Sequence, residues 1–343
     1  MAAAQPTGAL PKEQYTVGWI CALPAELTAA RFFLDDLHAE RLEQQDTNDE
    51  NTYVLGSIKG HNVVFATLPY GVYGTSSAAT VARDMLRTFK NIRIGLMVGI
   101  GGGAPSRTNH IQLGDVVVSV PQNGNAGVFQ YQHGKNTQGR SFKNTGHVNK
   151  PTALLLGAVA SLKSKFTING NGIAEHVHAL VTKYPRLQSE FGRPDPTSDR
   201  LYSSDFIHPD DENGLHRSCD IVCGFDPQKI VDRTSWPKRY DESVVFHGVI
   251  ASADTLMKNA MERDRLSQDA GVLCFEMEAS GLMNSFPCLV VRGVCDYSDT
   301  HKNDQWQGYA AMCAAAYTRE LLAMVAPHKV DAEPKLEIWL DSS

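Results

Sequence analysis

No stretch of this 343-residue chain approaches the ~20 consecutive apolar residues of a bilayer-spanning helix. The opening MAAAQPTGALPKEQ has neither a basic start nor an apolar core of signal-peptide length. A cytoplasmic protein with no membrane partner is therefore expected. Basic residues are not in excess: 32 Lys and Arg stand against 38 Asp and Glu, for a net charge of -6. Nucleic-acid phosphates call for a basic face, so nucleic acid is not expected as a partner. Cysteines offer no disulfide framework, since the seven are odd in number, scattered and mostly inside apolar runs; they read as reduced core thiols. Cys219 and Cys223 make a lone CxxxC without a second pair at zinc-ligand spacing, so no metal is expected. Internal repeats and low-complexity segments are also missing.

What the chain does have is an alternation of buried-strand runs and helical stretches, the pattern of an α/β fold. Residues 15–22 (YTVGWICA) read as a first strand, and Pro24 opens a helix over PAELTAARFFLDDL. Residues 52–57 and 62–68 read as a hairpin around Lys59, Gly60 and His61, followed by a helix over 75–89. A strand over 94–98 leads into a glycine loop, 99–103, and LGDVVVSV at 113–120 is a further strand. Residues 121–243 are polar and rich in Gly, Asn, Asp and Pro, with helices near 151–163 and 173–184; they read as insertions. Strand VVFHGVIAS (244–252), a helix holding Arg263 and Arg265, and a closing helix over 308–325 complete a single domain at 15–326. The start, 1–14, reads as disordered, and the tail, 327–343, as acidic and mobile apart from a stretch at 336–340 able to dock.

The chemistry concentrates in 272–299, VLCFEMEASGLMNSFPCLVVRGVCDYSD, which reads as strand, helix, strand. The first strand stops at Glu276, Met277 and Glu278, and the second delivers Asp296 and Asp299. Ligand chemistry in open α/β sheets gathers beyond the carboxyl ends of strands, so these acids are expected in one crevice. Arg292 sits inside an otherwise apolar strand, where an unpaired charge costs several kcal/mol, so a partner or a purpose is expected. Glu26 falls in the first turn of the first helix. Two readings stay open there: an ordinary helix-start acid, or an ionised base for a water molecule. The glycine run GIGGGA is neither a dinucleotide fingerprint, because Pro105, Ser106 and Arg107 follow where a helix should start, nor a P-loop, because no Lys precedes a Ser or Thr.

Taken in order, CALPAEL, VGIGGG, LGDVVVS, ASADTLM, FEMEA and VVRGVCDYSD resemble the nucleoside phosphorylase and nucleosidase superfamily, including purine nucleoside phosphorylases and 5'-methylthioadenosine/S-adenosylhomocysteine nucleosidases. The chain also looks like phosphorylase-type domains of fungi. The resemblance implies a three-layer α/β/α fold around a central mixed, partly barrel-like sheet, and cleavage of a purine N-glycosidic bond. It implies that Glu278 holds the ribose 2' and 3' hydroxyls beside Glu276, with Met277 below the sugar, and that Asp296 protonates purine N7. Leu256 and Met257 fall in the base-binding stretch, and Ile100 and Gly101 in the glycine loop. Glu26 matches the nucleosidases' water-activating glutamate and Arg292 the arginine that fixes the water site. No cofactor is implied, and the expected assembly is a homo-oligomer, a dimer being favoured.

The chemistry asks for these residue types. An oxocarbenium-like ribosyl state needs a stabilised sugar, and the purine leaves well only when N7 is protonated, which a buried, raised-pKa aspartic acid can do. Two departures bear on the nucleophile. Ile100 occupies the loop's usual serine position and Met97 stands where an arginine is common, so a phosphate dianion would lack charge-assisted partners. Water is therefore favoured over phosphate, and hydrolysis of a purine ribonucleoside to base and ribose over phosphorolysis. Phosphorolysis, served by Thr75, Ser76 or Arg107, and a non-catalytic nucleoside sensor are the alternatives. Base preference and the 5' substituent are not legible.

Overall fold

The first strand, β1 (Val17–Cys21), is buried at every position because it has parallel neighbours on both sides, β4 (His61–Thr67) and β5 (Ile94–Gly103). The computed structural model describes residues 8, 10–39, 41, 42, 44–122, 124–135, 137, 138, 143–209, 217–224 and 226–339. Expectations for 1–7, 9 and 340–343 lie outside the described residues. Within the start, Lys12–Gln14 form one 3-10 turn and Leu10 packs on the core, so that part of the segment is ordered, contrary to expectation.

Pro24 opens α1 (Pro24–Phe32) as its residue type favours. The helix is shorter than its sequence suggests: Asp36–Ala39 form an edge strand, β2, antiparallel to β3 (Tyr53–Ile58). The Asp35 N–H donates to Ser57 O at 2.9 Å and its carboxylate accepts from the Lys59 N–H at 2.6 Å, which draws the chain onto the hairpin instead. The β3–β4 turn has φ of 52° at Lys59 and 81° at Gly60, the primed geometry that matches strand twist. After it comes α2 (Thr75–Thr88).

The glycine run is strand, not loop. β5 continues to Gly103 because Gly101 and Gly102 pair with Val294 and Asp296 on β12 (Cys288–Asp296), while Gly102 and Gly103 pair antiparallel with Phe275 and Cys274 on β11 (Val272–Glu276). β12 also pairs with β6 (Val116–Ser119). That strand pairs with β10 (Val245–Ser252), and β10 with β11, so the circuit β5, β12, β6, β10, β11 closes on itself. β1, β4, β3 and β2 extend it as an open arm. The core is thus a mixed sheet closed into a barrel along part of its length, flanked by helices.

In the insertion region β7 (Val128–Gln130) pairs with β10, and β8 (Gly134–Lys135) pairs with β9 (Lys143–Asn144). Helices α3 (Ala153–Asn169), α4 (Ile173–Lys183), α5 (Gln188–Phe191) and α6 (Cys219–Val222) follow. Then come α7 (Ala260–Ala270) and, between β11 and β12, α8 (Ala279–Leu282). The alanine-rich α9 (Gln307–Leu322) is almost wholly buried against β12, β5 and α1. It lies so close that a Cβ on Gly293 would stand 1.9 Å from Ala310 O. α10 (Pro327–Asp331) leads to Leu336, which is buried and donates its N–H to Ile92 O at 2.8 Å, so the tail docks there. No helix among the described residues is long and apolar enough to cross a membrane.

Candidate active site

Arg292 lies midway along β12 with none of its surface exposed. A guanidinium there is tolerable only if paired, and the neighbouring elements supply three carboxylates. Glu276, the last residue of β11, accepts from Nη2; Glu278, two residues on, lies 3.3 Å from the same nitrogen. Glu26 Oε1, from the first turn of α1, is 3.9 Å from Nη1. Burial works against the guanidinium charge, but the three carboxylates together raise its pKa.

Each acid is fixed from behind by backbone N–H groups. Glu26 Oε2 accepts from Ala22 at 2.6 Å and Leu23 at 2.9 Å, and Oε1 accepts from Ile100 at 2.8 Å. This joins the helix start to the glycine strand. Glycine at position 99 is obligatory to that joint, since a Cβ there would meet Glu26 Oε1 at 2.1 Å and Arg292 Nη1 at 2.5 Å. Glu276 accepts from Glu278 N at 3.1 Å and Ala279 N at 3.0 Å, holding the start of α8. Asp296 Oδ1 accepts from Ser298 N at 2.8 Å, and Ser298 has a left-handed φ of 53°, a strained setting typical of functional turns.

Their electrostatics differ. Burial raises Glu26 above the usual carboxylate range, and Arg292 with the three N–H groups opposes the shift. Burial pushes Glu278 up to about 7, Arg292 opposing and the charges of Glu276 and Glu26 adding to it. Asp296 is raised by burial, against the Ser298 N–H and the Lys302 charge. All three acids are therefore raised by burial, and Glu26 is the one tied by three backbone donors.

A cavity of about 490 Å³ opens over this cluster. Glu26, Ile100, Gly101, Leu256, Met257, Glu276, Met277, Glu278 and Asp296 all line it. Arg292, grouped with them in the sequence, stands behind the carboxylates instead of in the wall. Leu256 is 44% exposed at the rim, and Met257 packs by Phe275. Asp299 turns away from the cavity toward Arg263, 3.8 Å off, and donates nothing to the cluster.

Several wall residues escape sequence reasoning. Tyr73 comes from a segment that reads only as a turn, and Lys302 and Gln307 follow β12 with no periodic signal. Ser298 and Gly102 lie beside Asp296, where a Cβ on Gly102 would meet Ser298 Oγ at 2.1 Å. Tyr131 braces the rim by donating its hydroxyl to Thr255 O at 3.2 Å and meeting Phe275 edge-on. A second cavity of about 280 Å³ shares Cys295, Asp296, Lys302 and Asp304 with the first.

The residues considered for an anion do not gather at the cavity. Met97 is fully buried in β5, and Arg107 is exposed away from the wall. Thr75 gives both its N–H and its hydroxyl to Asp254, at 2.7 and 2.8 Å. An acid already occupies that hydroxyl, and its charge repels an anion.

Strand-end acids around a partly closed mixed sheet define the class: the chain has the fold of the nucleoside phosphorylase/nucleosidase superfamily. It superposes on a 5'-methylthioadenosine/S-adenosylhomocysteine nucleosidase from Neisseria meningitidis, solved with methylthio-immucillin-A, with TM-score 0.55 and 14% identity over 90% of this chain and 98% of that one. In sequence it is 45% identical over 318 residues to a nucleotide-binding leucine-rich repeat (NLR)-like protein of Hyaloscypha variabilis, covering 93% of this chain and 30% of that protein. It is 23% identical over 321 residues to the ATP nucleosidase Cap17 of Escherichia coli, covering 88% of this chain and 50% of that one. The chain therefore spans half or less of these two relatives. No protein-family model matches it.

Proposed function

We propose that this chain hydrolyses the N-glycosidic bond of purine ribonucleosides to free base and ribose. The observation that carries the reading is the meeting of Glu26, Glu278 and Asp296 on one cavity, with Ile100 in the wall and Arg292 held by carboxylates behind it. In the proposed reaction the C1'–N9 bond breaks and its electron pair stays with the purine. Asp296, whose pKa burial raises, gives its proton to N7. Water adds to C1' as Glu26 takes its proton. Solvent afterwards returns a proton to Asp296 and removes one from Glu26.

Arg292 Nη1 has no hydrogen-bond partner among the described residues and stands 3.9 Å from Glu26 Oε1, which supports a role in holding that water. Glu278 accepts from the ribose hydroxyls, and its negative charge favours the positive sugar. Met277 floors the ribose, while Leu256 and Met257 cover the base. The test is product analysis in phosphate-free buffer with inosine, guanosine and adenosine. Free ribose is expected; strict dependence on phosphate, with ribose 1-phosphate as product, overturns the choice of water.

A second substrate reading rests on the bacterial relative's name and on Lys258, an exposed cation at the cavity rim. It takes the 5' group to be a triphosphate, so ATP belongs in the same panel. Adenine release from ATP at a rate well above that from adenosine would favour it. We also propose a dimer, supported by the apolar surface that Tyr70, Val72 and Tyr73 expose near the mouth; light scattering on the purified chain tests this, and a monomer overturns it.

A further inference from the structure

The CxxxC pair takes no part in the proposed hydrolysis. α6 begins at Cys219 and is capped by Cys223 one turn later, which brings both thiols to one face. In sequence they lack a second pair; the fold supplies a third donor from upstream. A ring nitrogen of His208 and the two Sγ atoms all lie within 4.8 Å of one another. A tetrahedral zinc shell with Zn–S of about 2.3 Å has edges of about 3.8 Å, so closure needs movements of about 1 Å or less. Both cysteines are free thiols.

The surroundings suit a metal centre. His208 and Cys223 are buried, and the His208 ring meets His301 edge-on at 5.6 Å. His301 stacks on Tyr202 at 4.0 Å and on Phe206 at 5.0 Å, forming an aromatic floor under the donors. The backbone there is tied to the loop after β12, since the His208 N–H donates to Thr300 Oγ1 at 2.8 Å.

We propose that His208, Cys219 and Cys223 form a zinc site, with the fourth tetrahedral position open. Two thiolates and an imidazole select a borderline-soft ion of flexible geometry, which fits Zn²⁺ better than the oxygen-seeking Mg²⁺ or Ca²⁺. On binding, the two thiols release their protons to solvent and the imidazole coordinates through one ring nitrogen. The ion fastens α6 to His208, whose backbone N–H is bonded to Thr300 on the loop that carries Lys302. Cys219 and His301 line the second cavity, which Asp296 also lines. The role assigned is structural, and it does not depend on the proposed hydrolysis.

The experiment uses the purified full chain, stripped with a chelator and titrated separately with Zn²⁺ and Co²⁺. The expected results are binding of about one ion per chain, tetrahedral cobalt absorption with thiolate-to-cobalt charge transfer, and a melting temperature that rises with Zn²⁺. The double variant Cys219→Ser/Cys223→Ser loses all three, whereas His208→Cys, which keeps three soft donors, retains the cobalt charge-transfer bands. A wild-type cobalt spectrum without thiolate bands overturns the proposal. So does a Zn²⁺ response equal to that of the double serine variant, or a Cys219–Cys223 disulfide in protein prepared under reducing conditions.

Discussion

Gly99→Ala should cripple the site without touching any acid. Its new Cβ would stand 2.1 Å from Glu26 Oε1, 2.4 Å from Glu26 Cδ and 2.5 Å from Arg292 Nη1, whereas ordinary contact begins at 3.4 Å. The Glu26 carboxylate must therefore retreat by roughly 1.3 Å. It cannot do so and keep all of its bonds to Ala22, Leu23 and Ile100, at 2.6, 2.9 and 2.8 Å. A misplacement of about 1 Å costs on the order of 10²-fold in rate, and one lost charge-assisted hydrogen bond costs about 1.5–3 kcal/mol of stability. The assay is initial-rate release of purine base, paired with thermal melting to show that the variant is folded. Gly157→Ala is the control: that glycine is exposed on α3, a Cβ meets nothing within 4 Å, and the change should leave turnover intact. A folded Gly99→Ala protein with wild-type turnover would refute the claim that Glu26 must stand where it does.

Asp296→Asn should lower kcat by about 10²- to 10⁴-fold while nucleoside affinity, read by calorimetry, changes little, because the amide keeps the Ser298 contact and lacks the acidic proton. The pH profile of kcat/KM should be a bell: its alkaline limb reports Asp296 losing its proton at a raised pKa, and its acid limb Glu26 gaining one, also above the ordinary glutamate value. Glu278→Gln should melt higher than wild type at pH 8 and level with it near pH 5. A carboxyl with a raised folded pKa stabilises fully below its unfolded value of about 4.3, and that stability is lost as pH climbs through about 7. Arg292→Met should destabilise by about 3–5 kcal/mol in chemical denaturation, since it strands Glu276, Glu278 and Glu26 without their cation.

The pairing of Arg292 with buried acids was legible in the sequence, and parts of the frame were not. A charge inside an apolar strand, as at Arg292, demands partners whatever the fold, and acids at strand ends are its natural partners; Glu276 and Glu278 were legible for that reason. Long-range closure was not. Nothing local says that Gly101–Gly103 extend β5 to meet β11, because a glycine run signals a loop and a tight sheet crossing alike. The end of α1 was equally hidden, set by bonds from Asp35 to Ser57 and Lys59 across the sheet edge and not by propensity. Tyr73 and Lys302 reach the cavity from irregular segments, where spacing carries no information about direction. His208 meets Cys219 and Cys223 only through the path of the insertion.

The most direct measurement of the central claim compares Glu26→Gln with the wild-type chain, reading turnover in phosphate-free buffer and nucleoside binding on the same preparations. An amide at position 26 can still accept from the Ile100 N–H but cannot take a proton from water. The account predicts that hydrolysis falls by about 10²-fold or more while the dissociation constant stays within a few-fold. Undiminished hydrolysis, or a loss of binding as large as the loss of rate, would contradict it.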